Sequence, residues 1–105
     1  MKRQHFFILL SLAGGDRHGS AIVRDVLGLT EGELTLWPAT LYGALDALAG
    51  EGWIEEVSDP EERPATSERL RFYRLTPAGR RSLAAEARRL DGLARAVELR
   101  LAEGS

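Results

Sequence analysis

A mainly α-helical fold of the α+β type is predicted by three features of this 105-residue chain. The first is a buried helical stripe at positions i, i+3, i+4 and i+7, formed by Leu41, Ala44, Leu45 and Leu48. The second is a pair of short β-prone segments, 53–57 and 71–75, on either side of a polar loop. The third is Thr76-Pro77, a helix start that opens a long amphipathic segment. Helix, strand, loop, strand and helix in this order are the layout of a winged helix-turn-helix.

Length and composition support one domain with a small core. We expect residues 1–76 to form the winged helix-turn-helix. Residues 77–105 are expected to form a C-terminal dimerisation helix within the same compact unit. The chain has no cysteine, which excludes disulfides, zinc–thiolate sites and thiol nucleophiles and agrees with a cytoplasmic location. No segment is apolar over a length that predicts a membrane-spanning helix.

The distribution of charge is more informative than its sum. The formal net charge is −2, which by itself disfavours nucleic acid as a partner. Between residues 63 and 81, however, the chain has six arginines and one acid, Glu68. An acidic run that includes Asp59 and Glu62 directly precedes them. Basic charge is therefore concentrated on the second wing strand and the start of the last helix, at Arg63, Arg69, Arg71, Arg74, Arg80 and Arg81.

The first two helices are marked by apolar runs and by glycine. Residues 4–13 are apolar on nearly all sides, which predicts a helix buried in the core or between subunits. A signal peptide is the alternative, because Lys2 and Arg3 precede the run, but the run is short and its removal would delete the first helix. The second helix is predicted to open at His18-Gly19-Ser20 and to be closed by Gly28.

The third helix is predicted to begin at Pro38, because proline is favoured at the first helical position. Gly50 and Gly52 are expected to end it. The loop at residues 58–69 then connects the two predicted strands and forms the tip of the wing.

The last helix is predicted from residue 77 to about residue 102. Leu83, Leu90 and Val97 recur every seven residues, so the helix has one apolar stripe. A helix of this length needs a partner to cover that stripe, and self-association is the interpretation we favour. The alternative is packing on the first helix of the same chain. The predicted dimerisation residues are Phe6, Leu83, Leu90, Leu93, Val97 and Leu101.

Three short blocks carry a family resemblance. His18-Gly19-Ser20-Ala21-Ile22 is similar to a His-Gly-Tyr-x-Ile motif. Residues 38–54 hold Pro-Ala-Thr-Leu-Tyr-Gly-Ala-Leu before Glu-Gly-Trp-Ile, similar to Pro-Gly-Thr-Leu-Tyr-Pro-x-Leu before Glu-Gly-Leu-Ile. Residues 71–79 resemble Lys-Tyr-Tyr-x-Leu-Thr-x-x-Gly. In this order and spacing the blocks resemble the PadR family of bacterial transcriptional regulators, among them the small type with a short C-terminal helical region. The chain departs from the family's residues at Ser20, Ala39, Gly43 and Leu70.

The resemblance implies a helix-turn-helix whose third helix enters the major groove. Thr40, Tyr42 and Gly43 are the candidates for DNA contact on that helix: two hydroxyls for phosphates or base edges, and a glycine for close approach. The helix has no Arg or Lys, so we expect the charge-neutralising contacts from outside it. The candidates are Arg24 on the second helix and Arg69, Arg71 and Arg74 on the wing.

The function that we expect is that of a homodimeric DNA-binding transcriptional regulator, a repressor released by a small molecule or another signal. Its expected partners are a double-stranded DNA operator, a second copy of itself and a small apolar or aromatic effector near Phe6 and Phe7. No membrane partner and no cofactor is expected. A winged helix that binds protein and not DNA stays as the alternative. An enzyme and a metal site are not predicted, because the sequence has no triad, phosphate-binding loop or metal-ligand cluster.

Overall fold

The structure is a computed structural model that describes residues 1–59 and 70–104. These residues form a mainly helical fold with a small antiparallel sheet, in the predicted order of a winged helix-turn-helix. Most of the predicted wing loop, and with it Arg69, lies outside the described residues. The elements are α1 (Arg3–Ala13), β1 (Arg17–His18), α2 (Gly19–Leu29), α3 (Pro38–Gly50), β2 (Ile54–Val57), β3 (Phe72–Leu75) and α4 (Pro77–Glu103).

The sheet has one strand that the sequence does not predict. Strands β2 and β3 pair as an antiparallel ribbon, with Ile54 opposite Leu75. The additional strand, β1, pairs with the other edge of β3 and places Arg17 opposite Tyr73, so the strand order is β1-β3-β2. Two residues are too few to show a period of two in the sequence. Their extended pairing is therefore visible only once β3 lies beside them.

The end of α2 also differs from the prediction. Gly28 does not close this helix, which continues past it. The stop is made by Thr30, whose buried hydroxyl donates to the Val26 carbonyl oxygen at 2.9 Å and accepts the Leu34 backbone N–H at 3.0 Å. The chain then turns through Gly32, whose φ of 84° suits glycine. The hydroxyl thus acts beside the backbone hydrogen bonds at the helix end, where the Thr30 N–H also donates to the Val26 carbonyl oxygen at 3.1 Å and the Gly32 N–H donates to the Leu27 carbonyl oxygen at 2.8 Å.

One hydrophobic core joins the first three helices to the sheet. The predicted stripe of α3 is buried, and α1 contributes its central residues while Phe6 and Phe7 stay half-buried. The sheet adds side chains from β2 and β3. The core residues are Ile8, Leu9, Leu12, Ile22, Val26, Leu36, Leu41, Ala44, Leu45, Leu48, Ile54, Tyr73 and Leu75.

Two side chains cap helices as the sequence suggests. The His18 Nδ1 atom accepts the Ala21 backbone N–H at 3.4 Å at the start of α2. The Thr76 hydroxyl accepts the Gly79 backbone N–H at 3.0 Å at the start of α4. The predicted Thr76 cap is therefore confirmed, and it offsets one of the unpaired backbone donors at a helix start.

The start of α4 is joined tightly to the turn between α3 and β2. The Thr76 hydroxyl also donates to the Gly52 carbonyl oxygen at 2.6 Å, and the Thr76 backbone N–H donates to the Trp53 carbonyl oxygen at 3.0 Å. A Cβ atom on Gly79 would lie 2.0 Å from that same Trp53 oxygen. We call this contact between residues 52–53 and 76–79 the α4 joint.

The outline of the molecule is elongated, at 64 × 28 × 21 Å, because α4 extends beyond the core. With 27 residues, α4 is about 40 Å long. Its first half packs against α1, whereas nearly all side chains after Leu90 are exposed. Within the described residues, no helix is both long and apolar enough to cross a membrane.

The α4 joint gives a prediction for stability. Gly79→Ala is expected to lower the free energy of unfolding by about 2 kcal/mol or more, because its Cβ would overlap a backbone oxygen that cannot rotate away. Urea unfolding followed by helical circular dichroism measures the change. Gly28→Ala is the control, since a Cβ atom there meets nothing within 4 Å among the described residues. We expect this variant to raise the free energy of unfolding by about 0.5–1 kcal/mol. Equal stability of the two variants would contradict the joint.

A second prediction concerns Ser11 on α1. This residue is buried, and its Oγ atom has no hydrogen-bond partner among the described residues. A buried polar atom without a partner costs stability. Ser11→Ala is therefore expected to raise the free energy of unfolding by about 1 kcal/mol in the same urea experiment. A loss of stability would show that the hydroxyl is bonded in solution.

Candidate nucleic-acid interface

The exposed side of α3 is the first part of the candidate interface. Because Leu41 and Leu45 point into the core, Thr40, Tyr42 and Gly43 are exposed. We call these three exposed residues the α3 face. At 100° per residue, Gly43 lies near the middle of the exposed arc, and Thr40 and Tyr42 lie at its two edges. The three α3 candidates from the sequence therefore frame one open surface.

Tyr42 and Gly43 differ in how freely they could meet a ligand. Tyr42 is 45% exposed, yet a Cβ atom on Gly19 would lie 3.3 Å from its hydroxyl oxygen. The phenol ring therefore rests on the start of α2 while one side of it stays open. Around Gly43, by contrast, a Cβ atom would meet nothing within 4 Å. Within the part of the chain that the structure describes, nothing obstructs the middle of the α3 face.

Arg71 lies beside this face but is held by acids. Its Nε and Nη2 atoms donate to the two carboxylate oxygens of Glu56 at 3.1 and 3.0 Å, and its guanidinium lies 5.9 Å from the Tyr73 ring centre. The hydrogen bonds from Arg71 hold the pKa of Glu56 below its ordinary value and raise the pKa of Arg71 itself. Asp46 of α3 is close enough to add to that rise. The one wing arginine described on the α3 side is thus paired with one acid, Glu56, and lies near a second, Asp46.

The remaining predicted arginines are dispersed. Arg74 points to the opposite side of the sheet, where it donates to both carboxylate oxygens of Asp16, at 3.4 and 2.9 Å. Arg24 is exposed on α2 and has no ion-pair partner among the residues that the structure describes. Arg69 lies outside those residues. The structure therefore brings Arg71, and not Arg74, next to the α3 face.

The apolar stripe of α4 divides into a covered and an open part. Leu83 packs against the core of its own chain. The residues further along the stripe are open among the described residues: Leu90, Leu93, Val97 and Leu101 are 40%, 50%, 56% and 70% exposed. Leu99, which is also exposed, lies nine residues after Leu90 and therefore on the opposite side of the helix.

Next to this stripe a pocket of about 300 Å³ opens between α1 and α4. Its polar wall includes the buried Glu86. The Glu86 carboxylate pairs with the Met1 amino group at 3.3 Å and accepts a hydrogen bond from Arg89. The Arg89 hydrogen bond lowers the pKa of Glu86, although burial acts against it. The full lining is Met1, Arg3, Phe6, Phe7, Glu86, Arg89 and Leu90. Phe6 thus lines this pocket at the foot of the open stripe.

These features define a class of protein. A helix-turn-helix core, an antiparallel wing and a long C-terminal helix together form the architecture of winged-helix transcriptional regulators. Residues 8–85 match the family described as "Transcriptional regulator PadR-like family", and the chain belongs to this family. Its members are transcription regulators and not enzymes, as the sequence predicts.

Known relatives agree with this assignment. A transcriptional regulator of Mycobacterium tuberculosis is 36% identical over 90 residues, which are 86% of this chain and 78% of the relative. A PadR family regulator of Clostridium difficile is similar in fold, with a TM-score of 0.78 and 20% identity over 95% of this chain and 99% of that one. Bacillus subtilis PadR, solved in complex with operator DNA, has a TM-score of 0.69 and 22% identity over 83% of this chain and 48% of that one.

Sequence reasoning missed the acids that hold the arginines. Glu56 and Arg71 lie on the same face of adjacent strands, two residues apart in register, because Glu56 is opposite Tyr73. A correct ribbon register would have revealed this pair. Asp16 could not be found in that way, since it reaches Arg74 only through the additional strand β1.

Proposed function

We propose that the chain is a homodimeric DNA-binding regulator that represses transcription by occupying an operator. The observation that carries the proposal is the open α3 face with Arg71 beside it, the position from which a winged helix inserts its third helix into the major groove. The operator complex of Bacillus subtilis PadR, which has the same fold, supports it. A regulator that binds operator DNA acts at the chromosome, in the cytoplasm.

The open stripe of α4 supports the homodimer. Four large apolar side chains in one row are too many to leave in water on a chain of this size. Pairing with the same stripe of a second copy would cover them by a self-complementary contact. Such a dimer would present two α3 faces to two half-sites of DNA.

The pocket between α1 and α4 supports release by a small molecule. It is lined by Phe6, Phe7 and Leu90, so an apolar or aromatic effector would suit it. Because the pocket adjoins the open stripe, an occupant would affect the packing of α4. A change in the dimer could then alter the separation of the two α3 faces.

A second candidate function has its own observation. Glu56 pairs with Arg71, Asp46 lies nearby, and the chain has no Lys or Arg between Arg24 and Arg63. Acids on the expected phosphate side favour a winged helix that binds a protein partner. DNA titration separates the two functions.

The titration uses the purified protein, its own upstream DNA and a scrambled duplex of equal composition, at several salt concentrations. We expect tighter binding to the upstream DNA, measured by fluorescence anisotropy, and a loss of affinity as salt rises. Arg71→Ala should weaken binding about tenfold and lower the salt slope by about one for each subunit, because one phosphate contact is lost. Absence of binding to either duplex at low salt would favour the protein-binding alternative.

The two arginine–acid pairs supply matched variants for this titration. Glu56→Gln removes the negative charge paired with Arg71 and is expected to raise DNA affinity severalfold, because that charge would repel the phosphate that Arg71 contacts. Asp16→Asn frees Arg74 on the opposite side of the sheet in the same manner, and we expect no change. An equal gain from Asp16→Asn would instead indicate that Arg74 also contacts DNA.

A further prediction tests the dimer. Light scattering should give twice the 11.5 kDa mass of the chain at micromolar concentration. Leu93→Asp is expected to yield the monomer, since pairing of the stripes would bury its carboxylate. Leu99→Asp makes the same change on the opposite side of α4 and should leave the dimer intact. Dissociation by both variants, or by neither, would contradict an interface along the open stripe.

A further inference from the structure

Trp37 is the largest side chain that the structure leaves in the open near α3. It directly precedes the helix and is 70% exposed, with an extended backbone. The residue before it, Leu36, is buried in the core at 2% exposure. The buried Leu36 on one side and Pro38 on the other restrict the backbone at Trp37, whose side chain points away from the core.

Among the described residues, the Trp37 side chain makes no hydrogen bond or ring contact. Its indole N–H, which can only donate, has no acceptor among the described residues. The other tryptophan, Trp53, packs against the core in the ordinary way. Tryptophan is enriched at interfaces, where its ring can pack against a ligand while its indole N–H donates a hydrogen bond.

The position of Trp37 indicates DNA as that ligand, on the basis of the function proposed above. Trp37 is the N-cap residue of α3, three residues before Thr40 in the sequence, so it lies at the same end of the helix as the first residue of the α3 face. The open stripe of α4, the surface proposed for the second copy, belongs to a different element. Two acids, Glu31 and Glu33, lie in the preceding turn. Glu33 forms an ion pair with Arg3 at 3.3 Å, whereas Glu31 has no ion-pair partner among the described residues.

The lack of basic residues in this region explains why a tryptophan would serve here. Between Arg24 and Arg63 no charged donor is available, so any contact made around the start of α3 must come from neutral donors. Thr40 and Tyr42 supply hydroxyls, and Trp37 supplies an indole N–H and a large apolar surface. We propose that Trp37 contacts the DNA backbone, with its ring against a deoxyribose and its N–H donating to a phosphate oxygen.

A neutral contact has a signature that a charged contact lacks. Neutralising a phosphate with an arginine releases counterions and steepens the salt dependence of binding, whereas an indole N–H releases none. A backbone contact also carries no sequence information. Loss of Trp37 should therefore weaken binding to every duplex by the same factor at every salt concentration.

The experiment compares Trp37→Ala, Trp37→Phe and Arg71→Ala with the unchanged protein in anisotropy titrations on the upstream and scrambled duplexes. We expect Trp37→Ala to bind both duplexes about tenfold more weakly with an unchanged salt slope. Trp37→Phe, which keeps a ring but loses the N–H, should fall in between. Arg71→Ala should lower the slope, so the two kinds of contact are distinguished in one data set.

Tryptophan emission supplies an independent readout. In Trp53→Phe all emission comes from Trp37, and it should change on addition of duplex. In Trp37→Phe the emission comes from the packed Trp53 and should not change. If Trp53→Phe does not fold, as judged by helical circular dichroism, the difference between the unchanged protein and Trp37→Phe gives the Trp37 signal.

Two results would overturn the proposal while the DNA-binding function stands. One is that Trp37→Ala binds both duplexes with unchanged affinity, while the Trp37 emission of Trp53→Phe does not change on addition of duplex. The other is a loss of affinity in Trp37→Ala that light scattering traces to a loss of the dimer. If the unchanged protein binds neither duplex and its emission stays constant, the proposed function itself fails, and the Trp37 contact fails with it.

Discussion

The carbonyl oxygen of Trp53 is the point on which the arrangement of the elements depends. It accepts the Thr76 backbone N–H at 3.0 Å and occupies the place that a Cβ atom on residue 79 would take. The end of α3, the start of β2 and the first turn of α4 therefore meet at one rigid contact. In a dimer built through α4, this contact would fix the distance between the two α3 faces, and with it the spacing of the half-sites that they could reach.

Most of this fold could be predicted from local sequence patterns. The parts that could not be predicted depend on contacts between residues outside those patterns. The α3 stripe, the Thr76 cap and the ribbon all follow from patterns within a few residues. Strand β1 has no such pattern, since its two residues are extended only because β3 pairs with them. The end of α2 was misplaced at Gly28, because the hydrogen bonds that close it come from the Thr30 hydroxyl and from the turn at Gly32.

The residues of the candidate site could be predicted from the sequence, but the ion pairs of its arginines could not. The outward position of Thr40, Tyr42 and Gly43 follows from helical period alone. The pairing of Arg71 with Glu56 depends on the register of the ribbon, and that of Arg74 with Asp16 depends on a strand that the sequence conceals. A count of arginines therefore overstates the free positive charge: among the described candidates Arg24 alone has no acidic partner.

The pairing of these arginines with acids affects how such a protein would recognise DNA. Arg71 is already paired with Glu56, whose negative charge opposes an approaching phosphate, so a phosphate contact at Arg71 would gain less than one at an unpaired arginine. The neutral groups around α3 must then contribute a larger share of the binding. Hydrogen bonds from hydroxyl and indole groups act only over short distances and within narrow angles, unlike the long-range attraction of free charge. Recognition of this kind requires an α3 whose position is fixed, and the Trp53 carbonyl contact provides that fixed position.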